Sequence, residues 1–114
     1  MQIDEFISEL KKINIDITEK QLIELKEYYN LLIEYNKHTN LTRIVEQQDV
    51  YLKHFYDSLT IVNYVDFNNI NNILDIGTGA GFPGMPLKIL YPDVEFVLFD
   101  SLNKRINFSF CCFM

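Results

Sequence analysis

Ile3, Phe6, Ile7, Leu10 and Ile13 recur at helical spacing, with Asp4, Glu5, Glu9, Lys11 and Lys12 between them, and this predicts a short amphipathic helix. Thr18 is followed three residues later by Gln21, the spacing at which two side chains can satisfy each other's backbone amides at a helix start. Beyond that cap, Leu22, Leu25, Tyr28, Tyr29, Leu32 and Tyr35 mark one face of a longer helix. It is expected to fade along Tyr35-Asn36-Lys37-His38-Thr39-Asn40, where short polar side chains compete for backbone hydrogen bonds. Helical spacing returns at Val50, Leu52, Phe55, Leu59 and Val62, which predicts a third helix, and Asn68, Asn69, Asn71 and Asn72 read as a linker.

The period then changes. Ile73-Leu74-Asp75-Ile76 reads as a short buried strand running into Gly77-Thr78-Gly79-Ala80-Gly81-Phe82-Pro83-Gly84. A helix over 86–90 follows, with Pro86 in its first turn where no amide donor is needed. Tyr91-Pro92-Asp93 turns the chain into Val94-Glu95-Phe96-Val97-Leu98-Phe99-Asp100, a second strand. Strand, glycine turn, helix and strand within about 30 residues form a βαβ unit with parallel strands. The fold expected is therefore α/β: a helical N-terminal extension over 1–66, then the first βαβ unit of a Rossmann-like domain over 73–114. Ser101 to Arg105 reads as the start of the next helix, after which the charges of an amphipathic helix disappear.

With 114 residues, 48% of them hydrophobic, the chain has the composition of one small folded domain. Its net charge of -6 argues against a broad basic surface for nucleic acid, although a local patch is compatible with it. No secretion signal or membrane-length apolar run is evident, so a cytoplasmic protein is expected. Cys111 and Cys112 are adjacent, which suits neither an ordinary disulfide nor a chelating pair, and no metal is expected.

All four glycines lie in the turn after the first strand. At the carboxyl end of a parallel strand, Gly77, Gly79 and Gly81 allow the backbone to bend with positive φ and come close to a ligand. Asp100, at the end of the second strand, stands where an acidic side chain accepts the hydroxyls of an adenosine ribose, or else caps the following helix. Two cofactor classes compete for such a turn, since Gly79-Ala80-Gly81-Phe82-Pro83-Gly84 also matches the dinucleotide fingerprint. Asp75 favours S-adenosyl-L-methionine, because a carboxylate suits a cationic amino group and a sulfonium better than a pyrophosphate. Satisfaction of Asp75 by the turn's own amides is the structural alternative.

At these residues the sequence resembles one family, the ribosomal RNA small subunit methyltransferase G group, also known as glucose-inhibited division protein B. Leu74-Asp75-Ile76-Gly77-Thr78-Gly79-Ala80-Gly81-Phe82-Pro83-Gly84-Met85-Pro86-Leu87 is similar to its cofactor motif, both prolines included, and Asp100-Ser101-Leu102-Asn103-Lys104-Arg105 to the segment after its second strand. Tyr35-Asn36-Lys37-His38-Thr39-Asn40-Leu41-Thr42 and His54-Phe55-Tyr56-Asp57-Ser58-Leu59 are similar to two signatures of its helical region, with Tyr35 where tryptophan is usual. The resemblance spans about residues 1–106.

It implies a class I methyltransferase domain that transfers a methyl group from S-adenosyl-L-methionine to guanine N7 in small-subunit (16S) ribosomal RNA. By position it implies that Gly77 and Phe82 contact the cofactor, with Asp75, Gly79 and Asp100 in support. The Phe82 ring has two physical uses, packing against apolar parts of the ligand or capping the core. His54 and Asp57, one helical turn apart, suggest an acid-base pair, but methyl transfer to a nitrogen lone pair depends on alignment more than on a base. A structural pairing that pins the helical extension near the glycine turn is the favoured expectation, and no catalytic residue is assigned. His38 is expected to be a solvated helix-end residue.

The family pattern continues for about as many residues again. A truncated chain, as after a shifted reading frame, is therefore expected to leave one sheet face and one strand edge uncovered. It would then tend to aggregate, bind the cofactor weakly and lack activity. A dinucleotide oxidoreductase fragment and a non-enzymatic interaction protein remain the rival readings.

Overall fold

In the computed structural model of the chain, residues 1–100 are described; the expected helix start at Ser101–Arg105 and the apolar tail lie outside them. The helical part comprises α1 (Ile3–Lys12), α2 (Glu19–Thr39) and a helical rod over 47–63. The α/β part comprises β1 (Asn72–Ile76), the glycine turn, α5 (Gly84–Leu90) and β2 (Glu95–Phe99).

The expected cap of α2 is present in both directions: Thr18 Oγ1 accepts from the Gln21 amide at 3.1 Å, and Gln21 Oε1 from the Thr18 amide at 2.9 Å. The helix does not fade at Tyr35. It runs to Thr39 and ends on Asn40 at φ 48°, because Asn36 turns its Oδ1 to the Thr42 amide at 2.9 Å instead of competing with its own helix.

The third helix is in place but not uniform. It starts as α3 (Gln47–Val50), widens into a π-helical turn over Tyr51–Tyr56, returns as α4 (Asp57–Leu59) and tightens to a 3-10 turn over Thr60–Asn63. Two side chains bond backward onto this backbone: Ser58 Oγ donates to the His54 carbonyl and Thr60 Oγ1 to the Asp57 carbonyl, each at 2.6 Å. Within the asparagine linker, Asp66 caps a 3-10 turn over Phe67–Asn69.

Phe6, Leu10, Leu25, Leu32, Val50, Tyr51, Phe55 and Leu59 are fully or almost fully buried where α1, α2 and the rod meet. Removing a side chain of this size from water stabilises a fold by about 1.5–3 kcal/mol. Tyr51 sits among Phe6, Tyr29 and Phe55 with ring centroids 4.9–6.4 Å apart. Burial there pushes its phenol up to about 12, with a smaller contribution from Tyr29.

β1 and β2 pair in parallel, from Asn72 opposite Glu95 to Ile76 opposite Phe99. The strands alternate, so Ile73, Asp75, Phe96 and Leu98 turn to the covered side, against which α5 packs. Leu74, Ile76, Val97 and Phe99 occupy the other face and are 60%, 73%, 50% and 58% exposed. The expected uncovered face is thus present among the described residues. The same residues contain no helix long and apolar enough to cross a membrane and no cluster of three or more side chains able to hold a metal ion.

Candidate cofactor turn

The turn between β1 and α5 is fastened from two sides. On the sheet side, the Phe99 carbonyl accepts from the Gly77 amide at 2.6 Å and the Thr78 amide at 3.1 Å. The Asp100 carboxylate, buried to 3% exposure, accepts from the Gly79 amide at 2.8 Å. Asp75 Oδ2 accepts from Thr78 Oγ1 at 2.9 Å and from the Gly84 amide at 3.0 Å, tying the end of β1 to the start of α5. The alternative read for Asp75, satisfaction by the turn itself, is therefore what one of its oxygens shows, with a hydroxyl as well as an amide as partners.

Gly77, Gly79 and Gly81 have φ of 72°, 61° and 99°, in the left-handed region that favours glycine. They nevertheless serve different ends. Among the described residues, a Cβ built at Gly77 or Gly79 would meet nothing within 4 Å, which leaves the turn open there. At Gly81 a Cβ would overlap the Tyr28 hydroxyl and come within 2.9 Å of Met85 Cγ. Gly77 and Gly79 thus border open space, whereas Gly81 makes room for the protein's own packing.

From the helical side, the Tyr28 hydroxyl of α2 donates to the Ala80 carbonyl. The Tyr28 ring meets Phe82 edge-on at 5.7 Å. Phe82 also stacks on His54, with centroids 4.3 Å apart and planes 9° from parallel, and tilts against Phe55 at 6.0 Å. Half-buried in this way, Phe82 fastens the turn to the helices, the second of the two uses read for it.

His54 Nε2 pairs with Thr42 Oγ1 at 3.0 Å, and that hydroxyl accepts from the Ile44 amide at 3.1 Å. Burial lowers the pKa of His54, partly opposed by the Asp57 carboxylate. The ion pairs among the described residues are Lys12–Glu9 and Lys37–Glu34, so the expected pairing of His54 with Asp57 is not formed as an ion pair; His54 meets the turn through Phe82 and is held within the extension by Thr42. His38 is exposed near the end of α2, as expected.

A cleft of about 430 Å³ lies beside this contact, lined by Lys53, His54, Asp57, Ser58, Phe82 and Pro83 among others. Sequence reasoning missed Tyr28 and Thr42 as site residues. For Tyr28 the available signal was a hydroxyl on the apolar face of a helix, since a buried phenol needs an acceptor.

A family profile described as GidB, rRNA small subunit methyltransferase G, matches residues 21–109. Among curated proteins, the chain is 51% identical over 108 residues to a Bacillus subtilis protein named ribosomal RNA small subunit methyltransferase G, covering 95% of this chain and 45% of the relative. Proteins of the same name from Desulforamulus reducens and Staphylococcus aureus are 55% identical over 98 residues and 49% identical over 108. They are covered over 41% and 45% of their length, against 86% and 95% of this chain, which therefore spans under half the length of these relatives.

Proposed function

Because the chain belongs to the rRNA small subunit methyltransferase G family, matched over residues 21–109, we propose that it supplies the cofactor turn of an enzyme that transfers a methyl group from S-adenosyl-L-methionine to guanine N7 in 16S ribosomal RNA. On this reading, residues 1–66 form a helical extension and residues 73–114 the opening part of a Rossmann-like class I domain working in the cytoplasm. The observation that carries it is a turn with its open side at Gly77 and Gly79 and two carboxylates, Asp75 and Asp100, bonded to its backbone. A carboxylate at the place of Asp75 suits a cationic, phosphate-free ligand better than a dinucleotide's diphosphate, whereas an acid at the place of Asp100 serves either class.

When bound, S-adenosyl-L-methionine supplies an electrophilic methyl group on its sulfonium. This chain's residues bind and orient it. Gly77 and Gly79 let the backbone approach, Gly81 keeps the turn seated against Tyr28, and Asp75 holds the turn's shape through Thr78 and Gly84. On this reading Asp100, just after β2, accepts ribose hydroxyls, a role supported by its position after the second strand of a βαβ unit. Phe82 keeps the turn on the helical extension and offers ring surface to the ligand's apolar parts. No side chain is assigned a proton transfer, because guanine N7 already has a lone pair and the reaction depends on alignment.

The test is a chimera in which the matched residues of this chain replace the equivalent part of the Bacillus subtilis relative. Labelled methyl should pass from the donor to small-subunit RNA, and Gly79→Val, which fills the open side, should abolish transfer. A folded chimera that binds NAD in preference to S-adenosyl-L-methionine, or that binds the donor and methylates nothing, would overturn the reading.

A further inference from the structure

The glycine turn has a third fastening, which belongs to neither strand. The peptide joining Ala80 to Gly81 is held at both ends: its N–H donates to the Thr78 carbonyl at 3.0 Å, and its C=O accepts from the Tyr28 hydroxyl. Gly81 follows at φ 99°, and glycine tolerates either orientation of the peptide before it. With sheet contacts at Gly77, Thr78 and Gly79 and α5 starting at Gly84, the peptide between Ala80 and Gly81 is the part of the turn whose carbonyl is held by the helical extension.

The amide of Ala80 is the second observation. From Gly77 to Met85 the N–H groups of Gly77, Thr78, Gly79, Gly81, Phe82, Gly84 and Met85 all have acceptors, and Pro83 has none to satisfy. For the Ala80 amide no acceptor is found among the described residues, although Ala80 is 5% exposed. An amide that the fold leaves without an acceptor is available to one brought by water or by a ligand. It belongs to the residue whose carbonyl Tyr28 holds, beside the open side at Gly79.

We propose that Tyr28 is a positioning residue of the cofactor turn: its hydroxyl fixes the Ala80–Gly81 peptide, and thereby keeps the Ala80 amide presented to an acceptor on the ligand. This rests on the methyl-donor reading for the ligand's identity but not for the positioning itself. The helical extension is then part of the cofactor site, and its α2 face controls the shape of a loop about fifty residues away in sequence.

Hydrogen–deuterium exchange of the full 114-residue chain at low micromolar concentration, read by mass spectrometry, separates the two claims. Tyr28→Phe keeps the ring and removes the hydroxyl. It should speed exchange in peptides covering residues 78–84 by roughly tenfold, the effect of losing one buried hydrogen bond, and leave α1 and the rest of α2 unchanged. Millimolar S-adenosyl-L-methionine should slow exchange of the same peptides in the unaltered chain and do so less in Tyr28→Phe. Turn exchange within twofold of the unaltered chain would overturn the proposal. Raised exchange in the variant, with no ligand protection in either chain, would uphold the positioning and count against the methyl-donor reading.

Should Tyr28→Phe loosen α2 as a whole, the Tyr28 hydroxyl proton of the unaltered chain decides by NMR. A slowly exchanging proton with a cross-peak to Gly81 supports the contact, and a freely exchanging one overturns it.

Discussion

The helical half and the two-stranded half of this chain use apolar residues in opposite ways. In α1, α2 and the rod, each helix turns one stripe inward, and the stripes bury one another completely at Phe6, Leu25, Leu32 and Phe55. In β1 and β2 alternate residues face opposite sides, so helices covering one face leave Leu74, Ile76, Val97 and Phe99 exposed on the other. A helix declares one buried face, while a strand apolar at nearly every position calls for cover on both. The glycine turn sits between the two halves and is fastened to each.

The comparison breaks first at the helical core. Phe55→Ala should cost about 3–5 kcal/mol in urea unfolding, because Phe55 is fully buried and touches Tyr28, Tyr51 and Phe82. A loss below about 1 kcal/mol would mean that the helices do not form the tight half.

A smaller effect belongs to the junction and follows its pH dependence. Burial holds the folded-state pKa of His54 below its unfolded value near 6.5. Above pH 7 both states are neutral and His54 adds no slope. As pH falls through about 6.5 the unfolded state takes up the proton first, so stability declines until the lowered folded pKa is passed. Denaturant midpoints measured from pH 7.5 to pH 5 should show this decline, and His54→Gln should flatten it. An unchanged slope in the variant would show that His54 is not held neutral against Phe82.

The smallest change in stability is expected on the open sheet face. Ile76→Lys should alter the unfolding free energy by less than about 1 kcal/mol, since the residue is 73% exposed. It should nonetheless reduce concentration-dependent self-association, measured by sedimentation velocity, because it interrupts a continuous apolar patch. A large loss of stability would mean that this face is covered after all.

Much of this was legible from local pattern. The Thr18 and Gln21 cap, the two strands and the glycine turn each rest on short-range rules, and each is present. The end of α2 was not legible, because Asn36 spends its side chain on Thr42 across a loop whose path no helical rule describes. Nor was the π-helical turn at Tyr51–Tyr56, which widens the rod by one residue while the apolar spacing still reads as helix.

At the turn, the positive φ of Gly77, Gly79 and Gly81 could be foreseen from residue type alone. That Gly81 yields to Tyr28 and Met85 could not, because it depends on which helix lies behind it. His54 was expected to pin the two parts together in a pairing with Asp57; it meets the turn through Phe82 instead, while its hydrogen-bond partner Thr42 lies in the same helical part, a choice made by tertiary packing.

The Phe99 carbonyl receives two amides at once, those of Gly77 and Thr78. The loop therefore has no hinge at its first two residues: any slide of one strand past the other would drag it along, and any molecule that steadies the loop would stiffen the strand pairing. Occupancy at one end of the sheet should be felt along its length as slower fluctuation, with no change of shape required.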